Sequence, residues 1–272
     1  MFKRTEGTNN LSDLENKKLE IEAREFAEKI RGDLGLDDSN PIDIIALLET
    51  HGILVFQITN LGTSGFIRVL EGNKAIFLNA SEPLGRQYYT AIHEYCHILR
   101  DLDRVKEIED YTKEQKTIEF NKMERFAFKF ADYFLMPERS LVHYLHLSNI
   151  KDFQSIGYKE IFGIQQYFKL SYKQVTRMLN KYDIISKEQR NELNKISSKE
   201  KPNELIDATK KAGYDTAIVC PLPESRIPAR FMRCLIENIQ QQRITKKKAQ
   251  YLADLLRMPS LLSYVEKEGL HQ

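Results

Sequence analysis

No apolar run in these 272 residues is long enough to cross a bilayer. The opening stretch, Met1 to Asn10, is polar and lacks the apolar core of a secretory signal. Cysteine is scarce. Cys96, Cys220 and Cys234 stand far apart without paired spacing, which excludes a disulfide framework and reads as reduced thiols. An excess of one charge is missing too. The 41 basic and 39 acidic residues leave a net +2, so the chain as a whole makes no case for a nucleic-acid partner. No internal repeat or low-complexity segment occurs. Together these absences predict a cytoplasmic protein with no membrane partner and no direct nucleic-acid binding.

What is present is an ordinary globular balance, 42% apolar and 29% charged, in a chain long enough for one large domain or two smaller ones. Residues 1–10 read as a disordered tail. From Leu11 to Leu34, apolar residues at Leu19, Ala23, Phe26, Ala27 and Ile30 recur at helical spacing. Asn40-Pro41 reads as the cap and first turn of a second helix that Gly52 ends, with Ile42, Ile45, Ala46 and Leu48 inward. Three β-like runs follow, at Ile53–Ile58, Gly65–Leu70 and Ala75–Asn79, with a hairpin turn at Glu71-Gly72-Asn73. They predict a small, mostly antiparallel sheet. Helical patterns fill the remainder, including Ser171–Tyr182 and a pair at Arg230–Gln242 and Thr245–Leu256, so the fold class is α+β. Ser197–Pro202 is the best linker. The expected organisation is a core over 11–140, a helical module over 141–200 and a C-terminal helical domain over 201–272.

One stretch carries chemistry. Tyr89 to Leu99 reads as a helix and contains His93-Glu94-x-x-His97. One helical turn apart, the two imidazoles share a face and reach one metal ion. Glu94 is then placed to deprotonate an attacking water. On this helix Ile92, Tyr95 and Leu99 are expected to face away and pack on the sheet. A catalytic zinc site needs a third protein ligand and an open position. Glu124, Glu119, Asp101, Asp103, Asp132, His143 and His146 are the candidates. Glu124 leads because it heads the buried stripe of Ala127, Phe128, Ala131, Phe134 and Leu135, where a carboxylate is costly unless paired or metal-bound. Asp101 and Asp103 read as members of a solvated charge cluster. His143 and His146 sit three residues apart without an acidic or cysteine partner, so they read as ordinary histidines. For the oxyanion or for substrate contact, Tyr88, Tyr89, Tyr133 and His143 are available, and the residue pattern selects none.

With Glu124 in place, the chain over Ile42 to Ile185 resembles the ImmA/IrrE family of metallopeptidases. The resemblance rests on linked elements in order. They are Pro41-Ile42-Asp43-Ile44 with Gly52-Ile53, Gly65-Phe66-Ile67 with Ile76-Phe77-Leu78-Asn79, and Arg86-Gln87-Tyr88-Tyr89 running into His93-Glu94. Glu124-x-x-Ala127-x-x-Phe130-Ala131 ending in Leu135-Met136-Pro137, and Phe168-x-x-Ser171 through Arg177-Met178-Leu179, complete the set. The resemblance implies a zincin-like core and an intracellular zinc endopeptidase with His93, His97 and Glu124 on the metal and Glu94 as base. It also implies a protein substrate, an XRE-type helix-turn-helix repressor, whose cleavage relieves repression in a mobile element or stress response. Zn2+ is the expected ion, with Mn2+ or Fe2+ able to occupy such a site. A substrate strand can add to an open sheet edge beside the metal helix, though no edge is singled out. The family usually has glycine where Cys96 stands. Cys96 is either a fourth ligand that closes the site or a small buried thiol, and its flanking position favours the thiol. Two other readings are a catalytically weak regulatory binding protein of this fold and a DNA-binding regulator acting through the C-terminal helices. For that helix pair, partner docking is the simpler expectation.

Overall fold

The computed structural model describes residues 12–109, 111–197 and 202–258. The expected tail at 1–10, the middle of the expected linker and the end of the chain lie outside the described residues. The first half runs α1 Asp13–Asp33, α2 Ile44–Thr50, β1 Ile53–Ile58, β2 Gly65–Leu70, β3 Asn73–Asn79, α3 Leu84–Arg100, α4 Arg104–Glu107 and α5 Lys113–Leu135. The second half runs α6 Glu138–Leu147, α7 Tyr158–Phe168, α8 Tyr172–Lys181, α9 Lys187–Leu193, α10 Pro202–Lys211, α11 Ala229–Gln240 and α12 Lys246–Leu255. Among the described residues no helix is long and apolar enough to cross a membrane.

The fold is α+β, built on a three-stranded sheet in the order β1-β3-β2. The hairpin turn sits where the sequence predicts it. Glu71 and Gly72 adopt φ values of 48° and 78°, the doubly left-handed pair that joins two right-twisted strands. It makes β2 and β3 antiparallel, whereas β1 runs parallel to β3. The sheet is therefore mixed rather than mostly antiparallel. β3 takes the centre, with apolar side chains on both faces. Ile76 and Leu78 of β3 lie in the main core, and Ala75 and Phe77 lie on the opposite face. The exposed second half of β2 suits an edge.

Both faces of the sheet are covered. α3 packs on one, against Val55, Ile76 and Leu78, with Ile92 wholly buried. The other carries a row of in-register rings, Phe66, Phe77 and Phe56, with neighbouring centroids 4.9 and 4.8 Å apart. Phe231 of α11 meets Phe56 edge-on at 5.2 Å, and Leu256 closes the cluster. Backbone bonds between Gln57 and Arg226 fasten the C-terminal segment along β1. Phe231 and Leu256 thus place the C-terminal helix pair against the sheet.

Two local expectations shift. α2 is capped by Asp43, whose carboxylate accepts the Ala46 N–H, while the Asn40 amide donates to Asp37. An anion at the N-cap satisfies an orphan donor and meets the helix dipole, so it outcompetes the amide three residues earlier. The buried side of α2 becomes Ile44 and Leu48. α5 starts ten residues before Met123, because Thr112 and Gln115 form a capping box. Along α5, Ala127 and Ala131 are fully buried, and Ala23 and Ala27 of α1 are buried with them. Phe26 of α1 sits between Phe126 and Phe130, at 5.9 and 5.4 Å.

Candidate metal centre

α3 holds its place through small residues and buried amides. Gly65 on β2 leaves room for Thr90, since a Cβ there would come within 2.6 Å of its methyl group. Gly85 lies against the Leu170–Ser171 backbone, where a Cβ would approach to 2.8 Å. Gln57 donates to Gln87 at 2.8 Å, and Gln87 donates to the carbonyl of Glu82 at 2.7 Å. These contacts set the helix against sheet and α8, and aim its histidine face into a cleft of about 1310 Å³. β2 forms one wall of the cleft, α5 another and α8 its end.

His93, His97 and Glu124 converge at the floor of this cleft. The two Nε2 atoms are 3.2 Å apart, and each lies 3.3 Å from one oxygen of Glu124. The buried carboxylate of Asp101 takes the Nδ1 proton of His97 at 2.7 Å. That bond leaves the Nε2 lone pair of His97 pointing at the shared point, the tautomer a metal ligand needs. Two imidazoles and a carboxylate focused on one point form a donor set suited to a divalent cation, and the residues present fit one. Among the described residues no other such cluster occurs. Phe128 flanks His93, ring to ring at 4.4 Å.

Electrostatics follow from burial and crowding. Burial pushes the Glu94 carboxyl up to about 7, with His97 opposing the rise and Glu124 adding to it. Desolvation works against a charge on His97, yet hydrogen bonds that it donates to Asp101 and Glu124 lift it to about 9. Burial alone would raise Glu124, but the two imidazoles hold it well below the usual carboxylate range.

The other expected residues are placed as follows. Tyr89 lines the cleft, but its hydroxyl donates toward the Phe128 carbonyl and Asp132, at 2.9 and 3.0 Å. Tyr133 donates to Glu20 at 2.6 Å and does not line the cleft. Tyr88 and His143 do not line it either. Glu119 pairs with Lys122 and Arg104, and Asp103 with Lys106 at the surface. Asp132 is buried and serves Arg177 and Gln174. His146 is exposed on α6. Cys96 is fully buried in the main core, and burial raises its thiol well above the ordinary value. Leu99 is 38% exposed, and Ile98 takes the inward position instead.

Asp101 corrects the sequence reading, being buried beside His97 rather than part of a solvated cluster. A signal was available. Asp101 is four residues beyond His97, the same spacing that pairs His97 with His93. No comparable signal marks Gln57 with Gln87, which tertiary packing alone brings together.

No curated protein matches the chain. Residues 48–180, from α2 to the end of α8, match the family described as IrrE N-terminal-like domain, Peptidase_M78. The family carries metallopeptidase-type chemistry, which implies a divalent metal and a protein substrate. These residues form a domain of the ImmA/IrrE family of metallopeptidases.

Proposed function

We propose that the protein is a zinc-dependent endopeptidase acting in the cytoplasm on a helix-turn-helix repressor. The observation that carries this reading is the convergence of His93, His97 and Glu124 beside Glu94, within the family domain. His93, His97 and Glu124 hold the ion, and Asp101 orients His97. A bound divalent cation supplies Lewis acidity, which makes water a better nucleophile and polarises the scissile carbonyl.

Glu94 takes the proton of the attacking water and delivers it to the leaving amine. Its place beside the ligands lets one carboxylate both accept the water proton and return it to the amine. The nearly dry floor around His97 and Asp101 keeps that exchange local. Tyr89 braces the wall rather than acting on the oxyanion, since its hydroxyl is committed to Phe128 and Asp132.

Substrate docking follows from the sheet. β1 has the Arg226 segment on its outer edge, whereas β2 is the terminal strand on the other side and lines the cleft. An extended peptide adds to β2 and lays its scissile bond over the histidines. The test is incubation of metal-loaded protein with the helix-turn-helix repressors of its own genome, alongside Glu94→Gln. One discrete cut, absent with Glu94→Gln and with chelator, is the expected result. Intact repressors under all conditions would overturn the repressor assignment.

A further inference from the structure

The cleft extends well beyond the histidines, and its charge changes character there. Glu94, Asp101 and Glu124 surround the two imidazoles, so a divalent ion is balanced where it sits. The remaining cleft is lined by Arg125 and Lys129 on α5, Arg177 and Lys181 on α8, and Arg190 on α9. Among the described lining residues, only Glu20 and Asp132 oppose them, and both are already engaged. Glu20 holds Lys129 and Lys181 at 2.6 Å each and accepts the Tyr133 hydroxyl. Asp132 accepts from Arg177, from Gln174 at 2.6 Å and from Tyr89. Arg86 also lines the cleft and is neutralised by Glu82 at 2.8 Å.

Arg190 has no ion pair among the described residues. The fork of donors on a planar guanidinium matches a carboxylate. Concave walls also focus an unbalanced positive field more strongly than a flat surface does.

We propose that this part of the cleft, with Arg190 as its unpaired cation, is a carboxylate subsite that selects an acidic segment of the peptide. The inference rests on the peptidase reading for its substrate class and adds which peptides are taken. The chain's near-zero net charge conceals the preference, because the excess is local to the cleft.

The test uses the full chain, metal-loaded and carrying Glu94→Gln, with fluorescent peptides that differ only in Asp/Glu against Asn/Gln flanks. Anisotropy should show the acidic peptide binding about tenfold tighter at low salt, with the margin shrinking as salt screens the cleft. Arg190→Gln should cut that margin about three- to tenfold, and Arg190→Lys should retain much of it. In cleaving protein, Arg190→Gln should raise KM for acidic peptides and leave kcat near wild type. If Arg190→Gln does not fold, Arg125→Gln on α5 and the salt series carry the same comparison. Equal affinity for both peptides, or a margin indifferent to salt and to both arginine substitutions, overturns the subsite. A wild-type protein that cuts nothing while this margin persists overturns the peptidase reading and leaves the subsite standing.

Discussion

His97 Nδ1 lies 2.7 Å from Asp101 Oδ2, and both side chains are 1% exposed. The pair occupies one face of a single helical run, with no water-facing side to loosen it. Asp101 thereby sets the tautomer and ring orientation of His97 before any ion arrives.

Asp101→Asn preserves the shape but removes the charge that receives the imidazole proton. Affinity for the divalent ion should fall about 10- to 100-fold, measured by competition with a chelator. Wild-type affinity in this variant would mean that His97 is oriented by something else.

Glu94→Gln should bind metal as the wild type does and lose about 10²- to 10⁴-fold in cleavage rate. Stoichiometry by elemental analysis and turnover of a cleaved repressor separate the two effects. Retained turnover would remove Glu94 from the base role.

Glu20 links acid stability to the α1–α5–α8 junction. Desolvation would raise its carboxyl, but Lys129, Lys181 and Tyr133 outweigh that and bring it from 4.5 to about 2. A depressed folded-state value contributes stability above the unfolded value and loses it as pH falls through the folded one. The advantage of wild type over Glu20→Gln should therefore be full above about pH 4.5 and fade toward about pH 2. Thermal melts of both proteins across that window check it. An advantage unchanged at the acid end would show that the cluster is not coupled to folding.

Gly85→Ala and Gly32→Ala form a matched contrast. At Gly85 a Cβ meets the Leu170 and Ser171 backbone at 2.8 Å, and backbone cannot step aside as a flexible side chain does. The cost should be about 1–3 kcal/mol, read as a lower Tm. At Gly32, within α1, nothing lies within 4 Å of an added Cβ. Alanine there should gain up to about 1 kcal/mol. A neutral Gly85→Ala would mean that α3 is not held against the α7–α8 loop.

Legibility tracked how local each interaction is. His93, Glu94 and His97 lie within one helical run, so spacing alone brings them together. Glu124 was legible because a lone carboxylate among Ala127, Phe128 and Ala131 needs a reason to be there. Asp101 was missed because charged neighbours such as Asp103 and Arg104 made the whole stretch look solvated. The stretch is not uniform: Asp101 is the last inward turn of α3, whereas Asp103 and Lys106 lie at the surface. The cap of α2 and the exposure of Leu99 turned on competition between adjacent residues, Asp43 against Asn40 and Ile98 against Leu99. Periodicity alone does not decide such competitions.

By itself the sequence determined the hairpin, the metal-type helix, the third acidic group facing it and the family, because turns, helical spacing and buried charge act over a few residues. Only the tertiary structure decided the strand order, the sheet edge beside the cleft, the cover over its far face and the surplus of cations around Arg190. Each of these depends on groups distant in the chain, whose pairing follows from how whole elements bury their surfaces. The histidine pair was visible as spacing, but its setting, with Asp101 beneath, Phe128 beside and a cationic cleft beyond, exists only in the packed chain.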